Sequence, residues 1–417
     1  MFVAVWFLSS LAATPVSAPV SLPDAADTAS FDALPVVEGP APVVNGKPVP
    51  ADRWPDAAFV FGNSGQCSGT LIAPKWVVTA AHCVPGMSYV LLNTNSNTMA
   101  YGPDSRLGDA ERIEVVSEHY QRSNSYDGYD YDIALLELAR PAKLAQPRVI
   151  AQDCVLDDFL KKGATVDIVG WGATREDGNG YTDVLLQGKT FVETPDCSAN
   201  VVKGMSSGCN PSINPGGEIG AGGNGVDACF GDSGGPLYLP TPRGTFLIGV
   251  TSRSYDGANP SYPCRDGGIY SRPDASIVWM EKVIGAPLEH PQCGEPPAPL
   301  ADPIHATSSG GHSSIDANDP DGGKHTYEIV DGPAHGTATV DADGKVEYTP
   351  GADYVGADTV TVRVTDNGTP KYPKSAPSSA TVEIPIDVTA CGCSTTSSAS
   401  SAWSMALVLA MLRRRRA

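Results

Sequence analysis

Three side chains with complementary chemistry stand far apart in the chain. His82 lies in Thr79-Ala80-Ala81-His82-Cys83, Asp132 opens Asp132-Ile133-Ala134-Leu135-Leu136, and Ser233 sits in Gly231-Asp232-Ser233-Gly234-Gly235-Pro236. A serine hydroxyl is a poor nucleophile at neutral pH. It needs an imidazole to take its proton, and the imidazole needs a buried carboxylate to fix its tautomer. Brought together, the three would attack an acyl carbon. Taken singly, each has a plainer explanation: a surface or core histidine, an aspartate that opens a strand, a serine in a tight glycine turn.

The elements that must position them are strands. Short apolar runs separated by turn residues recur from Val43 to about Gly285, among them Thr70-Leu71-Ile72-Ala73, Trp76-Val77-Val78-Thr79, Val166-Asp167-Ile168-Val169 and Phe246-Leu247-Ile248-Gly249-Val250. With 44 glycines and 36 prolines, that rhythm predicts an all-β sandwich or barrel. One helix is expected over 275–284, where Ile277, Met280 and Ile284 share a face. Residues 286–303 are proline-rich and read as a semi-rigid linker. A second β unit is expected over 304–389, with strands at 325–330, 337–340, 346–349, 359–365 and 380–388. Asp343-Gly344 marks a hairpin within it.

The chain has 417 residues and a formal net charge of −19. Four of its 28 basic residues sit together at 413–416, leaving 24 against 47 acidic ones in the body. So acidic a body repels phosphates and excludes nucleic acid as a partner. Ten cysteines without CxxC pairs point to disulfides, hence to an oxidising compartment. Residues 1–13 are apolar, and Val16-Ser17-Ala18 offers a signal-peptidase site. Residues 1–18 therefore read as a signal peptide, with cleavage near Ala12 or Ala13 as the alternative, and 19–42 as a propeptide.

Taken together, the three motifs and their His, Asp, Ser order resemble the chymotrypsin/trypsin (S1) family of serine peptidases over residues 43–285. Subtilisin-like and α/β-hydrolase triads run in other orders. The resemblance implies two packed six-stranded antiparallel β-barrels with a C-terminal helix and a catalytic cleft between the barrels. It implies peptide-bond hydrolysis by His82, Asp132 and Ser233, with Gly231 and Ser233 as oxyanion-hole donors and no cofactor. Ser252 resembles the family serine that steadies the triad aspartate, and Gly170-Trp171-Gly172 matches an internal landmark. The implied disulfides are Cys67–Cys83, Cys197–Cys209, Cys229–Cys264 and Cys154–Cys293, with Cys391 and Cys393 outside them.

The same resemblance places Asp227 at the floor of the primary specificity pocket, where it would select Arg or Lys before the scissile bond. A solvated aspartate in the glycine-rich stretch 216–225 and just after it is the alternative. Gly268 fits a small pocket wall. Arg253 and Ser254 depart from the family's Trp and Gly: Ser254 would narrow the mouth, Arg253 would favour acidic groups farther along the substrate, and Asp266 adds a nearby acid. Val43-Val44-Asn45-Gly46 resembles a mature N-terminus whose new amine pairs with Asp232 as the zymogen switch. Pro42 replaces the usual basic residue, so either a separate activating peptidase cuts here or the true start lies elsewhere.

The stretch around Asp316, Asn318, Asp319 and Asp321, with Tyr348-Thr349-Pro350-Gly351-Ala352-Asp353-Tyr354 and Thr361-Val362-Arg363-Val364-Thr365-Asp366, resembles bacterial Ig-like or cadherin-like repeats. It implies a β-sandwich, and those four residues are either a calcium site or a solvated acidic turn. Residues 390–417 resemble a myxobacterial C-terminal sorting tail: Cys391-Gly392-Cys393, an apolar run over 402–412, then four arginines. That implies a sorting peptidase, cell-envelope attachment and an outer-surface or extracellular location. Two functions remain: an active secreted or surface-anchored endopeptidase, or a catalytically silent surface adhesion or binding protein with a peptidase-like domain.

Overall fold

The computed structural model describes residues 43–50, 52–63, 65–97, 110–120, 131–210, 213 and 216–390. The expected signal peptide and propeptide, and the expected sorting tail beyond Ala390, lie outside the described residues.

Two closed barrels make up the first part of the chain. The first is β2 (Ala57–Gly62), β3 (Gly65–Ala73), β4 (Trp76–Thr79), β5 (Met87–Leu92), β6 (Glu111–Tyr120) and β7 (Ala134–Leu138), closed in the order β2-β3-β4-β7-β6-β5. The second is β8 (Thr165–Gly170), β9 (Leu186–Thr194), β12 (Glu218–Ala221), β13 (Pro236–Thr241), β14 (Gly244–Ser254) and β15 (Gly268–Ser271). It closes because β8 pairs with both β9 and β13. The short β1 (Lys47–Pro48) is added to β9, and β10 (Val201–Val202) pairs with β11 (Met205–Ser206). The barrel pairings are antiparallel, as hairpin-linked strands allow.

Apolar residues fill the barrels and also cement them to each other, so that strands such as β2, β3 and β8 are buried on most of their residues. Val169, Trp171, Tyr238 and Val250 of the second barrel join the core of the first. A buried polar clasp crosses the same seam: Asp56 accepts bonds from Arg148 Nη2 at 2.6 Å and from Tyr238 Oη at 2.6 Å. Burying a carboxylate is tolerable only when it is paired and hydrogen-bonded in this way. The seam matters because the candidate site spans it.

Two helices flank the barrels, α1 (Asp153–Phe159) on the core of the second and α2 (Ile277–Ile284) on the core of the first. The sequence pattern does not announce α1. The expected one, α2 (Ile277–Ile284), follows a 3-10 turn at Asp274–Ser276 and packs Ile277 and Met280 into the first core. It stops at Gly285, whose φ of 76° is the left-handed cap conformation that glycine adopts freely.

Beyond α2, two four-stranded sheets form a sandwich. One has the order β16 (Leu300–Ala301), β18 (Gly311–Asp316), β21 (Lys345–Pro350), β20 (Gly336–Val340). The other runs β17 (Ile304–Ala306), β23 (Ser378–Val388), β22 (Gly356–Asp366), β19 (His325–Asp331). The expected hairpin at Asp343-Gly344 joins β20 to β21, with the Asp341 carboxylate accepting the Asp343 and Lys345 amides.

The proline-rich stretch over 286–303 differs from a free spacer in its packing. Leu288 is buried in the first core, Cys293 is disulfide-bonded to Cys154, and Leu300 already belongs to the sandwich. Cys293 N–H donates to Ser375 Oγ at 2.7 Å, while Tyr372 packs on the second-barrel core and donates to Asp157 at 2.9 Å. Composition suggests a spacer, but one buried leucine and one disulfide are enough to fasten it down. Among the described residues no helix is long and apolar enough to cross a membrane.

Candidate active site

His82 leaves the end of β4 in a single 3-10 turn, Ala81–Cys83, pinned by the Cys67–Cys83 disulfide. Its backbone N–H donates to Asp132 Oδ1 at 2.9 Å, and its ring Nδ1 lies 2.8 Å from Oδ2. An ionised carboxylate can only accept, so this contact fixes the proton on Nδ1 and leaves Nε2 with a lone pair. Ser252 Oγ donates to the same Oδ2 at 2.6 Å. Burial alone would raise the Asp132 carboxyl, but the bonds from His82 and Ser252 outweigh it and hold it below the usual range.

Ser233 is brought to the seam by its glycines. A Cβ on Gly234 would collide with Thr79 Oγ1 and with the Ser68 carbonyl, so only glycine lets this turn lie against the histidine-bearing strands. Ser68 N–H then donates to the Ser233 carbonyl at 2.8 Å, and Thr79 Oγ1 donates to Ser68 O at 2.8 Å. His82 and Ser233 line one cavity of about 430 Å³. No hydrogen bond joins them among the described residues; such bonds commonly tighten only when substrate binds. Neither the Gly231 nor the Ser233 N–H is spent on another hydrogen bond among the described residues.

Gly231 has φ 97°, and a Cβ there would stand 3.0 Å from Gly172 Cα. Gly170 and Gly172 form a collar around Asp232, since a Cβ on either would strike its carboxylate. Asp232 is fully buried and accepts from Gly172 N and Cys229 N, each at 2.8 Å. Burial, with no cation bonded to it among the described residues, pushes it up to about 7. Val43 is also fully buried, and Val44 N–H donates to the Asp227 carbonyl at 3.0 Å.

Asp227 does not itself line the cavity. Its carboxylate is 2 % exposed and accepts from Gly223 N at 2.7 Å and Gly267 N at 3.2 Å. Burial pushes it up to about 7 despite those bonds. The cavity wall includes Ala228, Cys229, Gly267, Gly268 and Tyr270, with Cys229–Cys264 as staple. Ser254 lines the cavity too, but its hydroxyl donates to the Pro263 carbonyl at 2.7 Å. Asp266 is tied to Arg265 and to Asn259 N. Cys197–Cys209 and Cys154–Cys293 complete four disulfides.

In the sandwich, Asp316 Oδ1 accepts Asn318 N and Asp319 Oδ1 accepts Asp321 N, each within its own turn. The ligand atoms that converge are those of Asp319, His325 and Asp366. An imidazole is a poor partner for a hard cation, so the set of Asp319, His325 and Asp366 does not fit a calcium cage.

Fold and site together define a trypsin-like serine endopeptidase. The family model for Trypsin matches residues 43–276, and the chain belongs to that family; the model for a bacterial Ig domain matches residues 295–384. The chain is 34% identical over 220 residues to a trypsin of Phaedon cochleariae, covering 52% of this chain and 78% of that protein. It is 29% identical to serine protease 56 of Mus musculus over 267 residues, 61% of this chain and 41% of the relative. With transmembrane protease serine 5 of Homo sapiens it shares 30% over 249 residues, 57% and 50% of the two chains.

Proposed function

We propose that the chain hydrolyses peptide bonds through His82, Asp132 and Ser233. His82 Nε2 takes the proton of Ser233 Oγ as that oxygen attacks the substrate carbonyl. The oxyanion accepts the Gly231 and Ser233 N–H groups, each donor being worth about 10²–10³ in rate. His82 then returns the proton to the departing amine, leaving an acyl-serine that water hydrolyses by the same relay. The observation that carries this reading is the Ser252–Asp132–His82 hydrogen-bond chain opening on the cavity that Ser233 shares.

Asp227 would favour Arg or Lys before the scissile bond, supported by its buried carboxylate, bonded to backbone N–H groups beside the cavity wall. Cleavage before Val43 by an activating peptidase would supply an amine for Asp232. The protein would be exported and held at a bacterial cell envelope, with a sorting peptidase acting on its tail.

A labelled fluorophosphonate tests the central claim. Processed protein should react at Ser233 and Ser233→Ala should not; an unreactive unaltered protein would instead be a silent binding module.

A further inference from the structure

Arg253 lines the cavity beside His82 and Ser233, and its side chain is 34% exposed. Its guanidinium is held by three acceptors. Nη1 lies 2.7 Å from Glu218 Oε1 and 3.3 Å from Ser252 Oγ, and Nη2 donates to the Gly208 carbonyl at 2.8 Å. A guanidinium has five N–H donors. Two therefore remain unclaimed among the described residues, one on Nε and one on Nη2, which are neighbouring nitrogens.

Glu218 offsets part of the Arg253 charge but takes up neither of the two remaining donors. It is 1% exposed, is not among the cavity's lining residues, and spends Oε2 on Asn210 N at 2.7 Å. No carboxylate lines the cavity among the described residues. Glu218 opens β12, whereas Gly222, which closes over Asp227, follows its far end. At about 3.3 Å per residue the Glu218 and Gly222 anchor points are at most roughly 10–13 Å apart, three to four steps of an extended peptide; Arg253 itself lies level with Gly220 across Ile269, so fewer steps reach it.

We infer that Arg253 is a specificity residue that binds a substrate carboxylate, an Asp or Glu side chain two to four positions before the scissile bond. The inference rests on the peptidase reading above. A held guanidinium with two free donors loses little freedom on binding a carboxylate, and such charged pairs suit bidentate contact.

The test uses peptides with Arg before the scissile bond and Glu or Gln at each of the three preceding positions. The processed full chain is first titrated with a fluorophosphonate. At one position the Glu:Gln ratio of kcat/KM should be about tenfold, discounted from a buried pair because Arg253 is partly exposed. Glu218→Gln should keep or raise that ratio. Arg253→Gln alone would strand a buried carboxylate, so the double variant Arg253→Gln/Glu218→Gln is used, and its ratio should fall to about one. A ratio near one at every position in the unaltered, titratable enzyme overturns the inference, as does an unchanged ratio in the double variant. Failure to titrate at all overturns the peptidase reading and this inference with it.

Discussion

Asp227 offers a sharp test because its charge is expensive. Its carboxyl stands at about 7 against an ordinary 3.8, with burial as the cause. Between those values the folded protein holds a proton that the unfolded chain has lost, so Asp227 lowers stability as pH rises from about 4 to 7 and no further above. A cationic ligand that uses the carboxylate must find it ionised. Its dissociation constant should then be weakened about tenfold at pH 6 and about a hundredfold at pH 5, relative to pH 8. The span corresponds to about 2.7 kcal/mol. Binding of a small aryl amidine, followed by calorimetry, isolates this from the titration of the catalytic groups in turnover. Asp227→Ser should bind it weakly and with little of that slope. A dissociation constant flat from pH 5 to 8 in the unaltered protein would refute the reasoning, and so would an identical slope in the variant.

Asp132→Asn should leave the fold intact and lower kcat by about 10⁴, since the imidazole would lose the partner that fixes its tautomer; steady-state kinetics reads it. Gly172→Ala should abolish fluorophosphonate labelling, because its Cβ would lie 2.5 Å from Asp232 Cγ; labelling at the normal rate would contradict the collar. Replacing Cys154 and Cys293 by Ser removes a link between residues 139 apart in the chain and should cost up to about 5 kcal/mol, read as a lower denaturation midpoint.

The barrels and the candidate site residues His82, Asp132 and Ser233 are legible in the sequence because their signals are local. The three motifs are contiguous runs, α2 shows its face at helical spacing before Gly285, and Asp343-Gly344 is a two-residue hairpin mark. Helix α1 is not legible: seven residues with only Cys154 and Val155 buried give no period to read. Strands β16 and β17 are only two and three residues long, and β18 reads Gly311-His312-Ser313-Ser314 before its first large apolar residue, so they resemble loop. The pairing of Arg253 with Glu218 joins residues that no local pattern links, and the reason for glycine at 170 and 172 emerges only once Asp232 is folded against them.

For a protein that cuts chains, the Cys154–Cys293 bond alters what damage looks like. It closes residues 154–293 into a covalent ring that contains Asp227, Ser233 and Ser252, while His82 and Asp132 lie outside it. A single nick anywhere between residues 155 and 292 opens the ring without releasing a fragment. Self-digestion there would pass unseen on a non-reducing gel and show as two bands only after the bridge is reduced.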